Sequence, residues 1–521
     1  MTDFTLPSAD ICERALDARD PRFDGLFFVG ITTTHIYCRP VCPARVSYTD
    51  RRRFFVSAAA AERAGYRPCL RCRPELAPGR APMDAVPRLA RLAADRISAG
   101  ALNGRGVASL ASDLGVSERH LRRALEREIG VSPLELAQTH RLLLAKQLLM
   151  DTTLPITRIA FASGFQSLRR FNTVFRERYR LSPSALRGSR KQTADVPLMG
   201  ASSSDLIRLT LAYRAPLAWE ALVQLMVRPS LPGVEMLAGS RYGRTVCLDG
   251  CKGIVLATDA ASESRNRQRA AKSHLEVQLS TALLPALMPL LARLRRYFDL
   301  DAEPTMVDAH LTQGGLGRLV AQRPGIRIPG ALDGFEAVLR AVLAEAPAAE
   351  GAAAAIVSAL GEPLTTGLPE LSHLMPTPER VAEGGETALI SLGLPPRLAR
   401  VLSAAARAMV EGRIRLEPGG NVSVVLRALM RIEGVDEELA TRIVMRALYS
   451  PDAFPASDAR LQRAAELTSS HTLEALSERW RPWRAYAAHH LWLQADQEPA
   501  MNGIPRPKPA RQRRTRLVSS T

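Results

Sequence analysis

The stretch Ile36-Tyr-Cys-Arg-Pro-Val-Cys-Pro-Ala-Arg45, followed after a spacer by Gly65-Tyr-Arg-Pro-Cys-Leu-Arg-Cys-Arg-Pro74, decides the fold of the front of this chain. It contains four of the seven cysteines, namely Cys38, Cys42, Cys69 and Cys72. Three residues separate the first pair, two separate the second and 26 lie between them, so two knuckles can bring four thiolates to one tetrahedral zinc ion. The alternative is two disulfides or incidental buried thiols. No apolar secretory segment precedes the stretch and a cytosol keeps thiols reduced, so we predict a zinc site.

Positive charge surrounds these cysteines, which suits a DNA phosphate backbone. The arginines are Arg39, Arg45, Arg51, Arg52, Arg53, Arg67, Arg71 and Arg73. Over residues 1–78 the pattern resembles the Ada-type methylphosphotriester sensor domain, a small zinc-bound α+β fold. The resemblance implies that Cys38 accepts a methyl group from a DNA phosphotriester. From the positive charge of this segment we expect Arg39 and Arg45 to contact DNA. A zinc site with four thiolates has a net charge of −2, and methylation of one thiolate reduces this negative charge to −1. The site then repels DNA less strongly.

The composition predicts a multidomain protein that binds nucleic acid. A chain of 521 residues with 46% hydrophobic residues can build three or four cores. The net charge is +18; residues 1–191 hold 32 Lys and Arg against 18 Asp and Glu, and residues 501–521 hold six against none, so 192–500 carry −2. The basic charge is concentrated at the front and in the tail, which we predict to be disordered over 501–521. With no signal peptide or long apolar run, we expect no membrane contact and a cytoplasmic, nucleoid-associated location.

Two helix-turn-helix patterns follow a break at Pro78-Gly79 and Pro82, in a domain that we place at residues 83–187. The first has a short helix from Val107, a turn at Gly115 and a second helix from Glu118 to Glu128. The second has a helix over Ile156–Ala162 and a candidate reading helix over Gln166–Arg178, and the long helix Leu134–Met150 links the two units. Either unit alone fits an ordinary helical hairpin equally well.

Together the two units resemble the AraC-type DNA-binding domain, ending in Phe175-Arg-Glu-Arg-Tyr-Arg-Leu-Ser-Pro183. The resemblance implies transcriptional activation with RNA polymerase as a partner, and reading helices in successive major grooves. The candidate DNA contacts are Arg122, Arg123, Gln166, Arg169 and Arg170. Residues 188–203 predict a flexible linker. The Pro-Cys-His-Arg motif of an Ada-type methyltransferase is absent, so direct base demethylation is not predicted.

The back half predicts an α+β domain over 204–320 and an all-α domain over 321–500. Strands are expected at Leu206–Leu211, Gly243–Leu248, Ile254–Thr258 and Leu275–Leu279, with helices at Trp219–Met226 and Ala286–Tyr297. Cys247 and Cys251 flank the turn at Asp249-Gly250, and with no further ligands nearby we predict buried strand thiols rather than a metal pair.

This half resembles the AlkA-type 3-methyladenine DNA glycosylases of the helix-hairpin-helix superfamily. Tyr213-Arg-Ala-Pro-Leu-Ala-Trp219 and Trp480-Arg-Pro-Trp-Arg-Ala-Tyr-Ala-Ala-His-His-Leu-Trp492 carry the match. The resemblance implies that Gly434 lies in the DNA-binding hairpin, that Asp458 is the catalytic aspartate and that Trp492 is a wall of the base pocket. An aromatic face favours a cationic alkylated base. No lysine lies between Gly434 and Asp458, so we predict a monofunctional enzyme without a Schiff-base step.

Several residues depart from the family pattern. The hairpin reads Gly434-Val-Asp436 in place of Gly-hydrophobic-Gly, and Glu438 and Arg442 replace aromatic residues on the following helix. Asp458 fits a helix N-cap as well as a catalytic group. Three hypotheses therefore stay open: an alkylation sensor and activator fused to an active glycosylase; the same regulator with a catalytically weak or silent DNA-binding half; or an effector-responsive regulator whose zinc is purely structural.

Overall fold

The computed structural model describes residues 6–44, 49–79, 88–188, 205–263, 273–346 and 350–497. The α-helices in chain order are α1 Ala9–Asp17, α2 Ala58–Arg63, α3 Arg88–Ser98, α4 Val107–Asp113, α5 Glu118–Ile129, α6 Pro133–Asp151, α7 Ile156–Ala162, α8 Leu168–Tyr179, α9 Pro183–Gly188, α10 Trp219–Met226, α11 Ala260–Glu263, α12 Leu287–Tyr297, α13 Pro304–Leu311, α14 Gly317–Gln322, α15 Gly334–Ala344, α16 Glu350–Leu360, α17 Pro378–Ser391, α18 Pro396–Val410, α19 Val422–Leu429, α20 Glu437–Ala447, α21 Ala459–Ala464, α22 Ser470–Ser477 and α23 Arg484–Ala495. The strands are β1 Phe28–Ile31, β2 Ile36–Cys38, β3 Arg52–Phe55, β4 Arg67–Pro68, β5 Leu206–Ala212, β6 Glu235–Ala238, β7 Arg241–Leu248, β8 Cys251–Asp259 and β9 His274–Ser280. The predicted tail and linker lie almost wholly outside the described residues.

A small sheet organises the front of the chain, with strand order β3-β1-β2-β4. Both β2 and β3 pair antiparallel to β1, whereas β4 pairs parallel to β2, with Tyr37 opposite Pro68. Because β2 ends at Cys38 and Cys69 follows β4, the parallel pairing brings the first cysteine of each knuckle to one edge of the sheet. The predicted α+β fold of this domain is confirmed.

Serine caps define the helices of the next domain. Ser117 and Ser167 accept hydrogen bonds from the first turns of α5 and α8, and Ser132 forms a capping box with Glu135 at the start of α6. The predicted helix α7 has the bounds that the sequence indicates. Helix α8 begins at Leu168 rather than Gln166, so Gln166 lies in the turn before it, because the Ser167 cap starts the helix two residues later.

A five-stranded antiparallel sheet of order β5-β9-β8-β7-β6 begins the back half. Every predicted strand is confirmed, and β6 is an additional edge strand. The prediction of buried thiols is wrong for Cys247, which is exposed, and Cys251 is only half-buried. Cys247 points to the opposite face from its neighbours Val246 and Leu248, which are buried, because side chains alternate along a strand.

The helices that follow form two apolar cores. One joins α15–α20, and the other joins α13 and α14 to α20–α23. A domain boundary drawn at residue 320/321 therefore cuts through α14, whose side chains pack with the C-terminal helices. Among the described residues, no helix is long and apolar enough to cross a membrane.

Buried contacts connect the front and back halves of the chain. The apolar core around α6–α9 continues into β5, β9 and α12. Arg214, which is 5% exposed, donates to the carbonyl oxygens of Asp24 and Gly79 and pairs with Glu303. Lys146 of α6 is fully buried, where it donates to the Cys69 carbonyl oxygen and pairs with Glu75. The cysteine stretch is thus held against both neighbouring domains.

Candidate functional sites: a cysteine cluster and a buried aspartate

The structure brings the four predicted zinc ligands together. The sulfur atoms of Cys38, Cys42, Cys69 and Cys72 all lie within 4.8 Å of one another, and all four residues are buried. Tetrahedral zinc with sulfur at about 2.3 Å requires sulfurs roughly 3.8 Å apart, so the cluster fits this ion. The backbone N–H of Arg39 donates to the Cys72 sulfur and that of Arg71 to the Cys69 sulfur, which stabilises thiolates. Zinc is the cofactor that this donor set holds.

The predicted DNA contacts beside the cluster have different surroundings. The Arg39 side chain is only 14% exposed; its guanidinium pairs with Asp24 and donates to the Cys72 carbonyl oxygen at 3.1 Å. Arg39 therefore stabilises the segment that carries the second cysteine pair, Cys69 and Cys72. Arg45 lies outside the described residues. Arg51, Arg53 and Arg71 are exposed; Arg51 pairs with Asp50 at 3.9 Å, and the Arg53 guanidinium lies over the Phe55 ring.

The helix-turn-helix candidates lie on the surface. Arg122 and Arg123 on α5 are exposed, and Arg122 donates to Glu118 one turn earlier at 3.1 Å. Arg169 and Arg170 are exposed in the first turn of α8, and Gln166 is exposed just before it. These positions are open to a partner such as DNA.

Asp458 lies at the N-terminus of α21 with 1% of its surface exposed. Its Oδ1 accepts from the backbone N–H groups of Arg460 at 2.7 Å and Leu461 at 3.2 Å, which is a helix N-cap. Its Oδ2 points the other way, toward Trp492 and Arg442. Oδ1 serves the cap and Oδ2 accepts from two side chains outside the cap, so a cap at this residue does not exclude a further role.

Trp492 is placed by helix α23, which ends the described fold. Its indole Nε1 donates to Asp458 Oδ2 at 2.8 Å. The ring of His489 packs edge-on against it at 5.1 Å, and His489 Nδ1 lies 2.7 Å from the Ala485 carbonyl oxygen. Burial lowers the pKa of His489 to about 3, so this imidazole is neutral and packs against the indole as an uncharged ring.

Arg442 on α20 is the functional residue whose contact the sequence did not predict. Its Nη2 donates to Asp458 Oδ2 at 2.5 Å and to Glu438 Oε1 at 2.5 Å. Burial raises the pKa of Glu438, and the Arg442 cation opposes that rise. In the sequence, the oppositely charged Glu438 and Arg442 stand four residues apart in place of aromatic residues. This spacing predicts an i,i+4 ion pair, but it does not predict the contact of Arg442 with Asp458.

Glu438, Arg442, Asp458 and Trp492 form a site that we call the aspartate pocket. The hairpin between α19 and α20 sets the direction of α20, which carries Glu438 and Arg442 to this pocket. Gly434 has a φ of +87°, and a Cβ there would meet Val401 Cγ2 at 2.8 Å, so glycine is required. Asp436, the departure from the family pattern, caps α20 by accepting from the Leu439 N–H at 2.9 Å.

Arginines of α18 offset the acidic charge of this hairpin. Arg397 pairs with Asp436 at 3.4 Å and with Glu345 at 3.5 Å, and Arg400 pairs with Glu433 at 3.4 Å. The sequence did not indicate these pairs, because Arg397 and Arg400 lie 39 and 33 residues before Asp436 and Glu433. These pairs lower the net negative charge of the hairpin.

Three family models match this chain in succession. The model described as the metal binding domain of Ada matches residues 11–75, a helix-turn-helix domain model matches 110–189 and the AlkA N-terminal domain model matches 208–333. The first covers all four cysteines, and the second covers α5 and α8.

Similar proteins span both halves. A protein of Mycobacterium tuberculosis named probable bifunctional transcriptional activator/DNA repair enzyme AlkA is 36% identical over 92% of this chain and 95% of its own length. The DNA-3-methyladenine glycosylase 2 of Escherichia coli is 30% identical over 56% of this chain and 98% of its own length. The bifunctional transcriptional activator/DNA repair enzyme Ada of Escherichia coli is 34% identical over 22% of this chain and 31% of its own length.

Proposed function

Because this chain belongs to the family of bifunctional transcriptional activator/DNA repair enzymes, we propose that one polypeptide senses DNA alkylation and removes alkylated bases. The sensor accepts a methyl group from a DNA methylphosphotriester and then activates transcription of repair genes. The repair half is a monofunctional glycosylase that excises alkylated purines such as 3-methyladenine. The observation that carries the enzymatic part is the second oxygen of Asp458, which is not used by the helix cap and meets the indole of Trp492.

Asp458 supplies the charge that base removal needs. The bond between the base and the sugar breaks with its electron pair leaving on the base, which neutralises an N-alkylated purine, so no strong acid is required. The carboxylate stabilises positive charge on the sugar and orients a water molecule. The water oxygen bonds to the anomeric carbon, and its proton passes to the carboxylate and then to solvent. Trp492 holds Asp458 Oδ2 in place and offers an aromatic face to the flipped base.

Cys38 performs the sensing reaction. Bound zinc keeps the four sulfurs as thiolates at neutral pH. The Cys38 sulfur bonds to the methyl carbon while the bond from that carbon to the phosphate oxygen breaks, and the electron pair leaves on a phosphodiester. The product is a neutral thioether, so Cys38 is consumed once per chain and the cluster loses one negative charge. Weaker repulsion of the phosphate backbone then favours promoter binding.

The packing of the sensor supports transmission to the helix-turn-helix domain. Lys146 of α6 donates to the carbonyl oxygen of Cys69, and Arg178 of α8 pairs with Glu62 of α2. A change at the cluster therefore acts directly on the domain that presents Arg122, Arg123, Gln166, Arg169 and Arg170 to DNA. We propose double-stranded DNA, both alkylated and promoter, and RNA polymerase as partners, and a cytoplasmic, nucleoid-associated location.

Two assays test this function. Purified protein incubated with duplex DNA carrying methylphosphotriesters should gain the mass of one methyl group on Cys38, and Cys38→Ala should gain none. An unchanged mass of the wild type would favour a purely structural zinc site. In the second assay, the protein should release 3-methyladenine from methylated duplex DNA. Methyl transfer without base release would favour the alternative in which the repair half is catalytically silent.

A further inference from the structure

The guanidinium of Arg442 lies between two carboxylates at the buried aspartate. It contacts Asp458 Oδ2 and Glu438 Oε1, each at 2.5 Å. The side chains of Arg442 and Glu438 are 20% and 22% exposed, whereas that of Asp458 is 1% exposed. Solvent thus reaches the Arg442–Glu438 pair, which covers the outer side of Asp458.

These carboxylates converge on one planar cation. Further negative charge comes from Asp436 and Glu345, which act on Glu438 alongside Asp458, and Arg442 is the cation that opposes them. If Arg442 leaves, the two carboxylates face each other with nothing between them, which is costly in a partly buried site. The site therefore requires a cation at this position. A guanidinium is flat, delocalised and carries N–H donors, and an N-alkylated purine has the same three properties.

We propose that Glu438 is a specificity-determining residue, binding the positively charged alkylated purine, and that Arg442 occupies the same position until the base displaces it. This inference rests on the proposed glycosylase function and names the residue that selects its substrate class. In the resting site Arg442 neutralises Asp458; on displacement, the base is held by Glu438 and Asp458 is free to stabilise the sugar cation. Neutral bases do not compete with the guanidinium, so they enter poorly.

The test compares two lesions at the same position of one duplex: 7-methylguanine, which is cationic, and hypoxanthine, which is neutral. Single-turnover base release is measured for wild type, Glu438→Gln, Glu438→Asp and Arg442→Gln. Glu438→Gln should lower the ratio of 7-methylguanine to hypoxanthine release about tenfold, which is the loss of one partly buried ion pair. Glu438→Asp should restore part of that ratio. Arg442→Gln should raise release of both lesions, most for hypoxanthine.

Glu437→Gln is the matched control, because it removes the same charge from the preceding residue, which is exposed. It should change DNA affinity equally for both lesions and leave their ratio within twofold. Equal losses for both lesions in Glu438→Gln would overturn the inference and make Glu438 a structural residue. If Arg442→Gln released both bases more slowly than the wild type, the proposal that the base displaces Arg442 would be contradicted. If the wild type released 3-methyladenine but neither of these two bases, the inference would fail while the glycosylase function stood; if it released none of the three, both would fail.

Discussion

The cysteine cluster and the aspartate pocket are built in opposite ways. The cluster takes four identical ligands from two short knuckles, and the parallel pairing of β2 with β4 brings them to one point. The pocket takes four different side chains from α20, the start of α21 and α23. In the cluster, the sulfurs of Cys69 and Cys72 accept from backbone N–H groups, whereas in the pocket the Arg442 guanidinium donates to Asp458 Oδ2.

The difference shows what kind of site tolerates change. Loss of one thiolate removes a bond that the zinc ion needs, so the cluster permits little variation. The pocket instead balances charges, and a charged pair can replace aromatic residues if the total charge remains compensated. The cysteine cluster is therefore constrained by coordination geometry and the aspartate pocket by electrostatics.

Removal of one zinc ligand is the largest effect that we expect. Cys72→Ser should weaken zinc binding by at least about 100-fold, because a structural zinc site is worth about 10–16 kcal/mol shared by four ligands. The measurement is titration with a competing chelator. Cys247→Ser, which removes an exposed thiol outside the cluster, should bind zinc as the wild type does. Zinc affinity that stays unchanged in Cys72→Ser would contradict the four-ligand site.

Trp492→Phe should lower base release about tenfold while leaving methyl transfer to Cys38 unchanged. Phenylalanine keeps an aromatic face but loses the N–H that donates to Asp458, and a hydrogen bond to a charged group contributes about 1.5–3 kcal/mol. Trp483→Phe is the control, because Trp483 packs on His310 instead. If both variants lost base release equally, the effect would come from helix packing rather than from the hydrogen bond to Asp458.

Gly434→Ala should weaken binding of lesion-containing DNA about fivefold. Alanine at a φ of +87° costs about 1–2 kcal/mol, and its Cβ presses on Val401, so the hairpin shifts away from the phosphate backbone. Gly412→Ala has a similar positive φ but meets no atom within 4 Å, so it separates backbone strain from hairpin displacement. Matching affinities for the two variants would argue against a DNA contact at Gly434.

Arg170→Ala should have the smallest effect, about threefold weaker promoter binding, with base release unchanged. Loss of one phosphate contact should also reduce the slope of log affinity against log salt by about one. Arg407→Ala removes an exposed arginine of the repair half and should leave promoter binding intact. An unchanged salt slope in Arg170→Ala would exclude a phosphate contact at this position.

The sequence predicted those features whose determinants lie close together in the chain. The zinc ligands follow from spacing, and α7 and α10 follow from apolar periodicity with clear boundaries. Edge strand β6 was not predicted, because only one of its four residues is buried and no alternation marks it. The contact of Arg442 with Asp458, 16 residues apart, depends on how the hairpin aims α20, which no local pattern encodes.

Surface arginines were harder to assign than ligands. The DNA contact of Arg39 stays a prediction from its basic segment; in the structure Arg39 pairs with Asp24 and donates to the Cys72 carbonyl oxygen. Arg397 and Arg400 were not identified at all, although they counter the acidic hairpin. Which group each arginine contacts depends on tertiary packing. Composition alone therefore predicts the sign of the charge on a surface but not the role of each arginine.

Base release by Asp458→Asn tests the central claim most directly, because asparagine caps a helix as well as aspartate does and keeps the fold of α21. Single-turnover release of 3-methyladenine from methylated duplex DNA is compared with wild type at equal zinc content and melting temperature. We predict a loss of about 10²–10³-fold, comparable to the cost of removing one hydrogen-bond donor that stabilises transition-state charge in an active site. Equal release by the two proteins would contradict an active glycosylase centred on Asp458.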